Sequence, residues 1–269
     1  MQVRRLPLVL PALLAAGLAV AGCVAPGATQ TADAADGFND PFEDTNRAVF
    51  GFNQVVDASV LVPVAKSYRT VVPGPVRQTL HDFLQNLNGP VIFANDVLQG
   101  EGTLAAQTLG RLALNTTVGF GGIFDVATQL GVPYHTNDFG ITLANWGFTA
   151  GPYVIVPVLG PSNPRDLVGQ AAEGFADPVN YVGGIGHNQL LAAVVAKTAV
   201  NGIDQRARNI ETLAEIEKTA LDYYATIRSL YRQRREAQIR HEQSNLPNPG
   251  FGGDGGGTPA PPMSYTVPK

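Results

Sequence analysis

Charged residues are scarce across most of this 269-residue chain, and that scarcity restricts the folds it can adopt. Between residues 23 and 196 only 20 of 174 residues are Asp, Glu, Lys or Arg, whereas about a quarter of an average soluble domain is charged. The same stretch contains 21 Gly and 12 Pro, which interrupt long helices and strands. The pattern predicts short elements and a surface that does not face water everywhere.

The N-terminus has the layout of an export signal. Two arginines precede an apolar run over residues 6–20, and Cys23, the only cysteine, directly follows Val-Ala-Gly. This segment resembles the bacterial lipobox, which predicts a signal peptide over residues 1–22 and attachment of diacylglycerol and palmitate to Cys23. The alternative is an ordinary secreted protein with a buried cysteine.

The same resemblance places the anchor in a particular membrane. Val24 favours the outer membrane, because an Asp at that position often retains lipoproteins in the inner membrane. Two or more acyl chains anchor a protein stably, so we expect a lipid-anchored chain on the periplasmic side. No further membrane-spanning helix is expected, because a charge, Gly or Pro breaks every later apolar run before it is long enough.

Composition divides the mature chain into unlike parts. Small polar residues over 23–39 predict a flexible tether, and residues 40–243 form the predicted helical domain. Within it, residues 197–243 contain 16 charged residues in 47 positions, one Gly and no Pro. Residues 244–269 contain six Pro and six Gly, which predicts a disordered tail.

The charge-dense segment 197–243 is predicted to form one long C-terminal helix. Its apolar residues recur at spacings of three and four, and Asn201 is the expected cap. These apolar residues are Ile203, Ala207, Ile210, Leu213, Ile216, Ala220, Tyr224, Ile227 and Tyr231. The arginines crowd its C-terminal end, at Arg228, Arg232, Arg234, Arg235 and Arg240. Either the helix is solvated and packs by one stripe, or these arginines meet anionic headgroups or an acidic partner.

The rest of the domain is expected to consist of shorter helices. Apolar spacing predicts one helix over 75–88, a second starting at Pro90 and a third capped by Thr103. Asn163 followed by Pro164 is a strong helix start, with an acidic residue in the first turn.

One segment, residues 151–160, differs from the helices. It is apolar, β-branched and uncharged, with two prolines, and therefore predicts an apolar hairpin or loop that inserts into something. The neighbouring Trp146, Phe148 and Tyr153 are expected either at a leaflet boundary or in the core. The start of the stretch 52–64 is expected to be helical.

Patterns typical of enzymes are not found. The four histidines lie more than 40 positions apart, which argues against a helical metal-binding pair. His135 and Asp138 would bind a metal only with distant help, and no G-x-S-x-G is found. A net charge of −4 argues against nucleic-acid binding. We therefore expect no enzymatic activity, no metal and no cofactor.

Several short motifs follow one another along the domain. Their residues are Pro41, Phe42, Glu43, Asn46, Arg47, Asn115, Gly119, Gly122, Asp125, Gly140, Gly147, Gly151, Pro152, Tyr153, Arg165 and Asp166. Their joint order resembles the MlaA (VacJ) family of outer-membrane phospholipid-transport lipoproteins. The resemblance extends over residues 40–232 and leaves out the Gly/Pro-rich tail.

This resemblance implies an all-α fold, with short helices in a ring around a central lipid channel. It implies that mislocalised phospholipid leaves the outer leaflet through the channel and passes to a periplasmic lipid-carrier protein. It also implies a trimeric porin as partner. Two other classes stay open, namely a structural porin-associated envelope lipoprotein without transport activity and a lipid-modifying hydrolase.

Overall fold

The computed structural model describes residues 40–176 and 187–241. The predicted signal peptide, Cys23, the tether and the Gly/Pro-rich tail lie outside the described residues. The helices of the described part are α1 (Glu43–Val56), α2 (Val62–Val71), α3 (Gly74–Leu98), α4 (Gly102–Thr117), α5 (Val126–Gln129), α6 (Phe139–Asn145), α7 (Pro164–Ala176), α8 (His187–Arg208), α9 (Ile210–Thr219) and α10 (Tyr223–Ile239). Two short strands, β1 (Val154–Val156) and β2 (Gly160–Ser162), lie between α6 and α7. The expected all-α class is confirmed.

The first helices form one continuous segment of 29 residues, Glu43–Val71, because a π-helical turn over Asp57–Leu61 joins α1 to α2. Pro63 lies in the first turn of α2, where its missing N–H is tolerated. This segment is long and apolar enough to cross a membrane, and most of it is not buried. The expectation that every later apolar run is too short to span a membrane is therefore wrong for this segment, by its length and composition.

Helices α3 and α4 pack against each other along their length. The predicted break at Pro90 is wrong, since Pro90 lies inside α3. A proline removes one backbone hydrogen bond. Close packing of α3 on α4 compensates for this loss. Beside Pro90 the two helices approach so closely that a Cβ on the preceding Gly89 would lie 3.1 Å from Leu112 of α4. Helix α4 begins at Gly102, so Thr103 is not its cap.

The predicted hairpin is confirmed. Strand β1 pairs antiparallel with β2, with Val154 opposite Ser162 and Val156 opposite Gly160. The predicted start of α7 is confirmed as well, because the Asn163 side chain accepts a hydrogen bond from the Asp166 N–H at 2.9 Å.

The charge-dense C-terminal segment is three helices, not one. Asn209 separates α8 from α9, and residues 220–222 separate α9 from α10. Asn201 lies inside α8 and caps nothing. Asp222 instead caps α10, accepting a hydrogen bond from the Ala225 N–H at 3.1 Å. The 3.6-residue periodicity continues across the breaks, so it did not reveal them.

Helices α6 and α7 meet at two glycines. A Cβ on Gly169 would lie 2.5 Å from the Gly140 nitrogen and 2.8 Å from its Cα. We expect Gly169→Ala to lower the free energy of unfolding by about 1–3 kcal/mol, because the added methyl group meets backbone that cannot move aside. Thermal unfolding in detergent measures the change. Gly174→Ala on the same helix is the control, since its Cβ meets nothing within 4 Å; equal melting temperatures for the two variants would contradict the prediction.

Candidate functional site

Polar and apolar side chains are distributed inversely to those of a water-soluble domain. Among the residues that the structure describes, 21 polar or charged residues are buried against 13 hydrophobic ones, while 23 large hydrophobic side chains are exposed. The continuous segment α1–α2 shows this clearly, with Phe52, Val55, Val60 and Val64 exposed. The interior is therefore polar and the outer face apolar, which suits apolar surroundings.

The one charge in the middle of α1–α2 is neutralised from inside the fold. Asp57 accepts hydrogen bonds from Arg206 of α8 at 2.8 Å, at both carboxylate oxygens. Between Arg47 and Lys66 no other charged residue occurs on this segment. The outward face of α1–α2 thus carries no net charge over about five turns.

Two asparagines of α1 hold the hairpin. The Asn46 amide donates to the Tyr153 carbonyl at 3.0 Å and accepts from the Ile155 N–H at 2.9 Å. The Asn53 amide likewise donates to the Val156 carbonyl at 3.0 Å and accepts from the Val158 N–H at 2.7 Å. Because the two asparagines are seven positions apart, they share one helix face and bind the hairpin side by side.

Removing one of these amides should loosen the hairpin. We expect Asn53→Ala to lower the free energy of unfolding by about 1–3 kcal/mol, since two backbone groups lose their partner. Hydrogen exchange at the Val158 amide should accelerate. Gln54→Ala, on the next position of the helix, is the matched control. Unchanged exchange at Val158 would show that Asn53 does not hold the turn.

An ion-pair cluster fixes the start of α1 against α10. Asp40, which is buried, accepts hydrogen bonds from Asn46 and Arg228 at 2.7 Å and from the Tyr224 hydroxyl. Arg228 also lies 3.2 Å from Glu43, whereas Arg47 pairs with Glu43. Six residues from the two ends of the domain thus form one network.

Aromatic rings fill the space beneath the hairpin. Tyr153 is buried and packs against Tyr224 at 6.3 Å and Tyr231 at 5.8 Å between ring centroids. Burial and the nearby Asp40 raise the pKa of Tyr153, so it stays neutral. Three aromatic residues were expected either at a leaflet boundary or in the core. Tyr153 lies in the core, whereas Trp146 and Phe148 are exposed.

A second cluster joins α6, α7 and α10 around Asp166. Its carboxylate accepts from Asn163 at 2.7 Å, from the Tyr231 hydroxyl at 2.9 Å and from Arg165 at 2.9 Å. Arg235 lies 2.8 Å away and also donates to Asp138, the cap of α6. Burial alone would raise the pKa of Asp166, but the charges of Arg235 and Arg165 outweigh it and lower the pKa.

A third cluster surrounds Asp125 at the connection between α4 and α5. Asp125 accepts two hydrogen bonds from Arg111 at 2.9 Å, one from Asn115 at 3.0 Å and one from the Thr128 N–H at 3.1 Å. Burial would raise the pKa of Asp125, but the hydrogen bonds from Thr128 and Arg111 lower it.

Most motif residues predicted from the sequence fall into these three clusters. Glu43, Asn46, Arg47 and Tyr153 lie at the hairpin. Asn115, Gly119, Gly122 and Asp125 lie at the α4–α5 connection. Gly140, Arg165 and Asp166 meet at α6–α7, where a Cβ on Gly140 would lie 2.7 Å from Asp166.

The remaining motif residues lie in connections. Pro41 and Phe42 are exposed just before α1, and Pro152 is half-buried before β1. Gly147 and Gly151 adopt left-handed φ angles of 91° and 77°, which explains why the chain carries glycine at both turns.

Two arginines expected at a solvated helix end or against lipid lie inside the protein. Arg228 and Arg234 are buried, and Arg235 pairs with Asp138 and Asp166. Neither sequence interpretation of this arginine group holds for Arg228 and Arg235, because acids from distant segments neutralise both: Asp40 pairs with Arg228, and Asp138 and Asp166 pair with Arg235. Arg232 and Arg240 lie near Glu236 of the same helix.

The sequence reasoning missed two buried carboxylates. Asp96 accepts from Thr108 at 2.6 Å and from Asn137 at 2.7 Å, and His135 lies 3.1 Å from it. His81 lies 2.9 Å from Asp204, although 123 positions separate them in the chain. Because the partners of each pair are far apart in the chain, no short-range spacing of residues predicts them. In the described ranges, no three His, Cys, Asp or Glu side chains are grouped so that they could hold a metal ion.

Comparison with known proteins agrees with this geometry. The family model for the MlaA lipoprotein matches residues 38–238. The chain is 34% identical over 212 residues to an uncharacterized protein of Rickettsia felis, covering 78% of this chain and 82% of the relative. It is 33% identical to the intermembrane phospholipid transport system lipoprotein MlaA of Haemophilus influenzae, with 86% and 90% covered. The protein of the same name from Escherichia coli K12 is 32% identical, with 80% and 82% covered.

A solved structure shares the fold. It is described as the structural basis for maintenance of bacterial outer membrane lipid asymmetry, and it superposes with a TM-score of 0.66 at 31% identity. The match covers 74% of this chain and 98% of that structure. The family model spans most of the chain, and the helical fold agrees. The chain therefore belongs to the MlaA lipoprotein family.

Proposed function

We propose that the chain is the lipoprotein of an intermembrane phospholipid transport system, the role in the names of its Haemophilus influenzae and Escherichia coli relatives. In this proposal it resides in the outer membrane, anchored on the periplasmic side through acylated Cys23. Mislocalised phospholipid leaves the outer leaflet through a central channel of the protein and passes to a periplasmic lipid-carrier protein. A trimeric porin is the proposed membrane partner, and no catalytic step or cofactor is required.

The observation that carries the proposal is the inverse distribution of polarity. Exposed apolar side chains on α1–α2 suit contact with acyl chains, whereas exposure of so many in water would favour aggregation. The buried Asn, Asp and Arg side chains supply a polar interior. A path for phospholipid needs polar surroundings for the headgroup and apolar ones for the tails, and the chain supplies side chains of both kinds.

The membrane anchor and the apolar face are testable separately. Cys23→Ala should release the mature protein from outer-membrane fractions, or retain it more weakly through α1–α2 alone. In the Cys23→Ala background, Phe52→Asp combined with Val60→Asp places charges on exposed positions, so the fold should survive while the remaining membrane association through α1–α2 is lost. Ser67→Asp, at an exposed polar position of α2, is the matched control.

An envelope assay tests transport itself. In a strain lacking the protein, amine-reactive labelling of intact cells should show more outer-leaflet phospholipid. Wild-type protein and Ser67→Asp should restore the normal level, and the Phe52→Asp, Val60→Asp variant should not. If the deletion leaves outer-leaflet phospholipid unchanged while the protein co-purifies with a porin, the structural porin-associated role replaces transport.

A further inference from the structure

We propose that a small cavity between α3 and α4 binds the primary ammonium group of a phospholipid headgroup, so that phosphatidylethanolamine is the preferred substrate. The proposal rests on the phospholipid transport proposed above and names the headgroup. The connection from α5 to α6 supplies the third side of the cavity. The polar part of its lining includes Asn86, Thr108, Arg111, Asn115, Tyr134 and His135.

The hydrogen-bond donors of this lining are engaged by two carboxylates. The Thr108 hydroxyl donates to Asp96 at 2.6 Å, and Nε2 of His135 lies 3.1 Å and 3.2 Å from the two oxygens of Asp96. Because an ionised carboxylate only accepts hydrogen bonds, Nε2 carries the proton in this pair. Arg111 donates to both oxygens of Asp125 at 2.9 Å. These donors are therefore not available to a ligand.

The groups that remain in the lining are acceptors. With the proton of neutral His135 on Nε2, its Nδ1 carries a lone pair. The Asn86 amide nitrogen donates to Thr116 at 3.3 Å. Neither His135 Nδ1 nor the Asn86 side-chain oxygen has a hydrogen-bond partner in the part of the chain that the structure describes. Such a lining fits a ligand that brings its own N–H groups, and a primary ammonium has three.

The charges around the cavity favour a cation as well. Asp96 and Asp125 contribute two negative charges and Arg111 one positive charge, so one net negative charge remains when His135 is neutral. Asp82, on the preceding turn of α3, lies near Asp125 and adds to this negative charge. An anionic headgroup such as phosphatidylglycerol is disfavoured in these surroundings. The phosphate of phosphatidylethanolamine is two carbons away from the ammonium and does not need to enter the cavity.

The lining also distinguishes ethanolamine from choline. Quaternary ammonium groups are recognised by the faces of aromatic rings, but the guanidinium of Arg111 already lies 5.3 Å from the centroid of the Tyr134 ring. Choline has no N–H that could satisfy the acceptors. Ile92 and Leu112 of the lining supply apolar contacts for the two methylene groups of ethanolamine.

Competition between headgroups tests the site. The full-length acylated protein in dodecyl maltoside is equilibrated with equal amounts of phosphatidylethanolamine, phosphatidylglycerol and phosphatidylcholine that carry the same acyl chains. Mass spectrometry counts the phospholipid that remains bound after gel filtration. We expect phosphatidylethanolamine to exceed each of the others about fivefold, which corresponds to about 1 kcal/mol. Complete displacement by free ethanolamine would assign the cavity to soluble amines and overturn the lipid site.

Charge substitutions at Asn86 provide matched variants. Asn86→Lys places an ammonium group in the cavity and should reverse the preference towards phosphatidylglycerol. Asn86→Asp should increase the preference for phosphatidylethanolamine, and it keeps the test decisive if the lysine variant does not fold. Ser67→Lys adds the same charge at an exposed position of α2 and should bind like the wild type. The same reversal in both lysine variants would overturn the cavity as the site.

The outcomes separate the ammonium site from the transport role. Equal binding of the three headgroups overturns the site while transport stands. Equal binding of phosphatidylethanolamine and phosphatidylcholine, both above phosphatidylglycerol, shows that N–H groups are not recognised and also overturns it. If no phospholipid of any kind remains bound, the result counts against the transport role together with the site.

Discussion

Asp166→Ala should lower the free energy of unfolding by about 3–5 kcal/mol, because it leaves buried guanidinium groups without their carboxylate. Arg165 is buried and lies 2.9 Å from Asp166, and Arg235 lies 2.8 Å from Asp166 and also pairs with Asp138. The α6–α7 junction and its contact with α10 should loosen together. Thermal unfolding in detergent, followed by circular dichroism, measures the loss.

Glu236→Ala is the matched control for this prediction. Glu236 is an exposed acid of α10 near Arg232 and Arg240, and a surface pair contributes at most about 1 kcal/mol. Similar losses for the two variants would show that the Asp166 cluster is not the stabilising one. Asp166→Asn keeps the shape and tests the charge alone.

The pH dependence gives an independent check on Asp166. Its pKa is lowered in the folded protein, so its stabilising contribution is present above the unfolded pKa of about 3.9 and is lost as the pH falls through the folded value. Wild-type stability should therefore decrease below about pH 4, and the decrease should be shallower in Asp166→Asn. An identical slope for both proteins would contradict the assignment.

Asp125→Ala is the second variant with a large expected effect, about 3–5 kcal/mol, because it leaves the buried Arg111 without its carboxylate. The loss should be local as well as global, since Asp125 also caps α5 and lies at the end of the connection between α4 and α5. Hydrogen exchange at Gly122 and Phe124 should accelerate more than exchange in α7.

A double-mutant cycle identifies the cause of this loss. If Asp125 acts through Arg111, Arg111→Met combined with Asp125→Ala should be no less stable than Asp125→Ala alone, because the uncompensated charge is gone. Glu101→Ala, at an exposed residue before α4 that makes no side-chain cap, should change stability by less than about 0.5 kcal/mol. If the losses in free energy of unfolding caused by the two substitutions simply add, the Arg111–Asp125 pair is not the cause of the destabilisation.

The features that the sequence predicted correctly depend on neighbouring residues. The cap at Asn163 acts on the N–H of Asp166, three positions away, and the hairpin follows from an apolar, proline-bounded segment. Predictions failed where local signals compete with packing. Pro90 should end a helix by its chemistry, yet α3 continues because Gly89 allows α4 to approach closely. The start of the 52–64 stretch is helical as expected, but the sequence does not predict the continuous helix Glu43–Val71, because a charge or a proline is expected to break each apolar run. Here the π-helical turn and Arg206 accommodate Asp57, and Pro63 lies in the first turn of α2.

The sequence by itself determined the helical class, the start of α7, the hairpin and, through the order of its motifs, the family. Only the tertiary structure decided which side of each helix faces inward and which charges neutralise one another. Asp40 and Arg228 are 188 positions apart, and Asp138 and Arg235 are 97. Helix caps and turns depend on neighbouring residues, whereas the cost of burying a charge depends on what faces it after folding. For that reason Arg228 and Arg235, which lie in a charge-dense and apparently solvated segment of the sequence, instead stabilise the polar interior.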